Sequence, residues 1–235
     1  MSYRLVRQFP AGDGTTEVWE ALAPNGEYVA VKRFVATDRP DLAIRFAAEQ
    51  RVLKALGGRH HLVGCSALLD DPPGMALEYA PNGNLAEHLE RHGPFAPRVA
   101  LTILRQACDA VAWLHANGVI HRDIKPSNLV QMWDGTWRLI DLGVAAHGDP
   151  PRGLPESWIE EEVGTPDWRA PELTRDPSAA DVRIDIFALG LTGLAMLDTS
   201  SVPALADELH RASAPDPEQR HASVDALVRA LQRIV

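Results

Sequence analysis

The segment His121-Arg122-Asp123-Ile124-Lys125-Pro126-Ser127-Asn128, HRDIKPSN, decides how the rest of the chain reads. It places an aspartate, a lysine and an asparagine within six positions of what reads as a polar loop. An aspartate can accept a proton or hold a hydroxyl, a lysine neutralises phosphate oxygens, and an asparagine offers a neutral oxygen to a metal. Eighteen residues beyond Asp123 comes Asp141-Leu142-Gly143, directly after the strand-like Arg138-Leu139-Ile140. A carboxylate at a strand end, followed by glycine, suits the principal ligand of Mg²⁺. Together these residues describe a site that handles a phosphate and a metal.

Upstream, residues 3–9 and 17–34 read as short strands, with Ala23-Pro24-Asn25-Gly26 as a tight hairpin turn. Residues 40–56 read as a helix whose buried stripe is Leu42, Ile44, Phe46, Val52, Leu53 and Leu56, stopped by Gly57-Gly58. Strands follow at 62–70 and 74–80. After Gly83 the pattern turns helical, with a long helix over 97–117 that buries Ile103, Leu104, Ala107, Val111 and Leu114. A hairpin turns at Trp133–Trp137, residues 144–167 are irregular, and helices resume at 181–197, 203–212 and 223–235. Long irregular segments in compact domains are usually functional or disordered. The order is strands with one helix, then mostly helices, with a lobe boundary near 80–83.

The chain has 235 residues, 46% of them hydrophobic and 23% charged, which is a globular composition. Its net charge of −9 and scattered cations give no nucleic-acid surface. Cys65 and Cys108 are too few for a disulfide framework, and Cys108 falls in an apolar helical pattern as a buried thiol. The most apolar run, 184–197, contains Asp185 and is shorter than the ~20 residues a bilayer needs. No secretion signal is read at the start, so the expectation is a cytoplasmic protein with no membrane and no nucleic-acid partner.

HRDIKPSN and the pieces around it resemble the eukaryotic-type protein kinases, most closely the Ser/Thr branch found in bacteria. The resemblance runs from Ala11 to Arg220 in the family's order. It implies a bilobal α+β fold, with an antiparallel sheet and one helix in an N-lobe (1–80) and a mostly helical C-lobe (81–235). It implies ATP as phosphoryl donor and Mg²⁺ as metal, with Mn²⁺ able to replace it. By the same resemblance, Val29-Ala30-Val31-Lys32 supplies the lysine that grips the α- and β-phosphates, and Glu49 its partner. Asp123 becomes the catalytic base, Lys125 the residue that offsets charge on the transferred group, and Asn128 and Asp141 the metal ligands. In Met75–Ala80, Leu77 is the gatekeeper and the backbone of Glu78 and Ala80 meets adenine. Asn84 stands at the ribose position, and Val18, Ala30 and Val130 line the nucleotide. Thr165, in Gly164-Thr165-Pro166, contacts Asp123 and Lys125. Glu172 pairs with Arg220, and Asp185 anchors the catalytic-loop backbone. His121 is a packing residue, and His60-His61 is not a metal pair. Taken singly, Lys32, Glu49 and Arg220 would read as a strand lysine, a solvated helix residue and a surface arginine.

Three stretches depart from the family pattern. In register with Val18, the glycine positions hold Ala11, Asp13 and Thr16, with Gly12 and Gly14 between them. A glycine there lets the backbone approach phosphate, and Asp13 adds a negative charge, so weaker ATP binding is expected. Between Gly143 and Gly164 the only hydroxyl is Ser157, a phosphorylation candidate that Arg122 would clamp, and Glu160–Glu162 could stand in for a phosphate. Between Asp185 and Arg220 the chain is short, which trims the usual protein-docking platform. Ser127 replaces an acid that can favour basic peptides. The protein substrate is therefore not named by the sequence, and a homodimer is neither implied nor excluded. Two rival readings follow: a pseudokinase scaffold, from the altered lid, and a small-molecule kinase, from the trimmed platform.

Overall fold

The computed structural model describes residues 3–10, 14–36, 38–147, 164–176 and 181–234. The expectations for Ala11, Gly12, Asp13, Ser157 and Glu160–Glu162 lie outside the described residues. Strands β1 (Arg4–Phe9), β2 (Thr16–Leu22) and β3 (Tyr28–Phe34) precede helix α1 (Pro40–Leu56), and β4 (Cys65–Asp70) and β5 (Pro73–Glu78) follow it. All five form one antiparallel sheet in the order β1-β2-β3-β5-β4. The β2–β3 turn is set by Asn25, whose Oδ1 accepts the Glu27 N–H, and by Gly26, which takes φ = 85°, a value costly for any residue with a Cβ.

Alternation along β3 sorts its side chains. Val29 and Val31 join Ala21 in a small cluster covered by Tyr3, Leu5, Trp19 and Leu69. Ala30 and Phe34 belong to the main core on the opposite face, where Lys32 also points. Helix α1 buries Phe46, Glu49, Val52 and Leu53 on that face. Ile44, expected in the buried stripe, is exposed instead, because it lies two residues from Phe46 and residues so spaced do not share a helix face. Full burial of a residue such as Leu53 contributes about 1.5–3 kcal/mol.

The helical half follows in order: α2 (Leu85–His92), α3 (Pro97–Ala116), β6 (Val119–Ile120), β7 (Leu129–Gln131), β8 (Trp137–Leu139) and β9 (Ala146–His147). Then come α4 (Pro171–Arg175), α5 (Arg183–Ala195), α6 (Pro203–Ala212) and α7 (Val224–Gln232). Strands β6 and β9 pair, as do β7 and β8. Helix α3 buries the five apolar residues its spacing marked, together with Ala100, Leu101 and Cys108. Helix α5 is buried almost all round, as a helix without a polar face must be. Among the described residues no helix is long and apolar enough to cross a membrane.

Candidate active site

The catalytic-loop segment is built from the inside outward. His121 is fully buried; its Nε2 lies 3.1 Å from the Ile140 carbonyl and its Nδ1 accepts from the Asp123 N–H at 3.3 Å. Arg122 then adopts φ = 70°, a left-handed conformation that costs a residue with a Cβ roughly 1–2 kcal/mol. Asp185 of α5 holds the backbone there. Its Oδ2 accepts from the His121 N–H and its Oδ1 from the Arg122 N–H, each at 2.8 Å. His115, at the end of α3, adds a third contact to Asp185 Oδ2 at 2.7 Å. Burial alone would raise the Asp185 pKa; the His115 bond and the neighbouring donors outweigh it and lower the pKa. Had Asp185 no such partners, its burial would be costly. The sequence marked Asp185 but missed His115, whose only signal is a polar side chain six residues before His121 in an apolar helix.

This backbone presents Asp123 to a cluster of groups. Lys125 Nζ lies 2.7 Å from Asp123 Oδ2, and Asn128 Nδ2 donates to the same oxygen at 3.0 Å and to the Asp123 carbonyl at 2.8 Å. Asp123 Oδ1 accepts from both the N–H (3.0 Å) and the hydroxyl (2.9 Å) of Thr165, and Lys125 Nζ donates to that hydroxyl. Three sequence-marked residues, Lys125, Asn128 and Thr165, thus come from two separate segments to surround one carboxylate.

A second charged cluster joins the sheet to the helical half. Lys32 Nζ donates to Glu49 Oε1 and Oε2 at 2.8 and 2.9 Å and to Asp141 Oδ1 at 2.9 Å. Lys32 and Glu49 are both buried, so the readings of a strand-edge lysine and a solvated helix residue do not hold. Burial pulls the Lys32 pKa down, but the charges of Asp141 and Glu49 overcome it and raise the pKa. The Lys32 charge holds Asp141 down at about 2, whereas burial pushes Glu49 up. Asp141, like Arg122, is left-handed, with φ = 68°. The bonds of Asn128 use its Nδ2, and those of Asp141 use its Oδ1, so Asn128 Oδ1 and Asp141 Oδ2 are not consumed by them. Two hard oxygen donors beside the buried Lys32 ammonium fit Mg²⁺, which takes one or two protein oxygens and completes its shell with other oxygens and water. Among the described residues no group of three or more His, Cys, Asp or Glu could hold a metal by itself.

A family model described as a protein kinase domain matches residues 7–221. The chain belongs to the protein kinase family. It is similar to the probable serine/threonine-protein kinase PkwA of Thermomonospora curvata, with 35% identity over 92% of this chain and 29% of that protein. It is similar also to the serine/threonine-protein kinase Pkn1 of Myxococcus xanthus, with 30% identity over 98% of this chain and 38% of that protein. PknB of Mycolicibacterium smegmatis, another serine/threonine-protein kinase, is 31% identical over 65% of this chain and 25% of its own length. The kinase domain thus spans well under half the length of these relatives.

On the side of the kinase domain expected to take the nucleotide base, Leu77 is buried and pairs across the sheet with Ala30, and Val130 of β7 bridges to Asn84. Asn84 caps α2, its Oδ1 accepting from the Glu87 N–H and its Nδ2 donating to Glu87 Oε1, each at 3.0 Å. Both ends of the residue expected at ribose are therefore used within the helix start. The Glu78 N–H donates to the Gly64 carbonyl at 3.0 Å, so of its two backbone groups only the carbonyl would remain for the expected contact with adenine. Val18 of β2 pairs with Lys32 of β3, and Gly14 has φ = 71°.

Glu172 of α4 and Arg220 form a two-pronged ion pair at 2.6 and 2.7 Å. Arg220 also donates to the carbonyls of Ala214, Arg183 and Pro215 and lies over the Phe187 ring, so it is a core residue and not a surface arginine. Helix α5 passes to α6 through residues 196–202 alone. His60 stacks on Trp113 and its Nδ1 lies 3.2 Å from Asp109, a packing role. Arg122 is partly buried; burial lowers its pKa, the Asp185 charge opposes this and the Arg45 charge adds to it.

Proposed function

We propose that this domain transfers the γ-phosphoryl group of ATP to a Ser or Thr hydroxyl on a protein, itself included, with Mg²⁺ as metal. The observation that carries the proposal is the cluster of Lys125, Asn128 and Thr165 on Asp123, set beside the Lys32–Glu49–Asp141 group. In this reading Asp123 orients the attacking hydroxyl and receives its proton as the oxygen–phosphorus bond forms and the bond to ADP breaks. Lys125 offsets charge on the moving phosphoryl group, and Lys32, kept charged, grips the α- and β-phosphates. Glu49 positions Lys32 and does not touch the nucleotide. Asn128 and Asp141 would hold Mg²⁺, which when bound neutralises phosphate charge and supports departure of ADP. Catalysis is then mainly positioning and electrostatic stabilisation.

Arg122 would clamp an anion of the segment after Asp141, phosphorylated Ser157 or the carboxylates of Glu160–Glu162. A cytoplasmic setting accords with two free cysteines far apart in sequence. The short α5–α6 connection favours one alternative, a small-molecule acceptor that needs no docking platform. The test is incubation with labelled ATP and Mg²⁺, alone, with generic protein substrates and with a metabolite panel, beside Asp123→Asn and Asp141→Asn. Label on protein, lost in both variants, is the expected result. Label on a metabolite alone would support the alternative, and none above the variants would leave a nucleotide-binding scaffold.

A further inference from the structure

Glu78 ends β5, and the family resemblance sets its backbone and that of Ala80 against adenine. Its side chain is tied elsewhere. Oε2 accepts from the Gly64 backbone N–H at 2.6 Å and from Arg138 Nη1 at 2.8 Å. A Cβ on Gly64 would lie 2.9 Å from the Glu78 carboxyl carbon, so the carboxylate would have to shift from its present place on that amide. Arg138 is on β8, and its Nη1 also reaches the Leu62 carbonyl at 3.5 Å. The next residue, Leu139, exchanges backbone bonds with His61 and Val63, and two residues beyond that stands Asp141. One carboxylate oxygen therefore joins three segments: the end of β5, the loop after α1, and the strand that delivers Asp141. Arg138 is 22% and Glu78 35% exposed, so the pair is sheltered rather than fully solvated.

We infer that Glu78 and Arg138 are positioning residues whose ion pair sets the adenine-binding peptide and the Asp141 strand as one unit. The inference rests on the phosphoryl-transfer reading. The chain crosses from sheet to helices just after Glu78, and a ligand held by two backbone groups there must otherwise order the crossing itself. The pair performs that ordering before ATP arrives. Affinity falls in proportion to the fraction of molecules whose peptide is competent, so loosening that leaves about a tenth competent weakens binding about tenfold.

The test compares wild type with Glu78→Gln, which keeps an acceptor for the Gly64 N–H without the charge, with Arg138→Met, with the double variant and with Arg138→Lys. Mg-ATP binding is read by calorimetry, the KM-against-kcat split by turnover, and folding by Tm. Each single variant is expected to weaken Mg-ATP binding about tenfold and to raise KM far more than it lowers kcat. The double variant should be no worse than either single one, because both remove the same interaction. Arg138→Lys should restore most of the affinity, since the pair uses a single guanidinium nitrogen. A lowered Tm with unchanged affinity would show a merely structural pair and overturn the inference. So would additive losses, or a raised kcat, which would mark a restraint on motion instead of a positioning device. If wild type neither binds ATP nor transfers phosphate, the phosphoryl-transfer reading falls and takes this inference with it. If wild type binds and the variants bind alike, only the inference falls.

Discussion

Replacing Asp185 by asparagine tests the framework under the catalytic loop most directly, because the substitution preserves volume and alters only the pattern of donors and acceptors. Asp185 is fully buried and accepts three hydrogen bonds: the Arg122 N–H on Oδ1, and the His121 N–H and the His115 contact on Oδ2. An asparagine has one oxygen. If that oxygen takes the Oδ2 place, its NH₂ faces the Arg122 N–H; if it takes the Oδ1 place, its NH₂ faces the His121 N–H. Either orientation sets donor against donor in a sheltered site. Hydrogen bonds to a charged group contribute about 1.5–3 kcal/mol each, and a buried donor left without a partner costs about 1–3 kcal/mol. The expected loss is about 3–5 kcal/mol, the scale for breaking a buried ionic contact. At about 2–4 °C per kcal/mol for a chain of this size, Tm falls by about 10 °C. Urea unfolding of wild type, Asp185→Asn and Asp185→Ala reads the loss as a shift in midpoint at constant slope. An asparagine variant within about 0.5 kcal/mol of wild type, a difference typical of harmless surface changes, would refute this account of the loop.

Four further outcomes follow from the same reasoning. Arg220→Lys should cost about 3 kcal/mol in urea unfolding, the scale of a broken buried pair, because an ammonium cannot reproduce two prongs to Glu172, three carbonyl contacts and the stack on Phe187. The Asp141 pKa is lowered from 3.8 to about 2, so its contribution is present above pH 4 and lost as pH falls from there toward 2. The acid limb of Tm against pH should accordingly be shallower in Asp141→Asn than in wild type. Burial pushes the Cys108 thiol up to about 12, so at pH 8 a thiol reagent should modify Cys108 only after unfolding, as mass spectrometry of labelled peptides would show. Asp13→Gly, in the altered lid, should lower the KM for ATP; a KM unchanged or raised would place its carboxylate away from the phosphates.

Local sequence made much of this legible, and what it missed has physical reasons. HRDIKPSN and Asp141-Leu142-Gly143 carry their chemistry within a few residues, so the loop and the strand end could be read without tertiary knowledge. Helix α6 matches its expected bounds, since its apolar residues repeat at helical spacing between a proline and the Ser213-Ala214-Pro215 stop. Helix α2 falls where the pattern turns helical after Gly83 but has no bounds in that reading, because it buries only Leu85 fully; its local signals are the Asn84 cap with Glu87 three residues on and Gly93 at its end. Strand β4 begins at Cys65, not at 62, because Leu62 is bridged to Leu139 of the other half. The Arg138–Glu78 contact joins positions 60 apart and leaves no local trace, since an arginine in a short strand reads the same whether its partner is a carboxylate or water. Glu49 was identifiable only through the family resemblance; helical periodicity alone would have set its charge in solvent.

Among the described residues, three ionic groups join elements distant in sequence: Lys32 with Glu49 and Asp141, Asp185 with His115 and the loop amides, and Glu172 with Arg220. Buried pairs of this kind are weak sources of net stability, since desolvation offsets most of their attraction, yet breaking one is expensive. Loss of either partner would therefore leave a charge without its counter-ion. That matters where the backbone is left-handed at Arg122 and Asp141, conformations that persist only when their surroundings over-determine them. None of the three groups draws on residues 196–202, the short connection between α5 and α6. Asp185 lies at the start of α5, and Arg220 follows α6. A short connection at residues 196–202 is thus compatible with these groups. In the proposed function the reaction centre and the recognition surface would then be separable, and substrate choice would be sought in the connection after α5 rather than in the residues around Asp123.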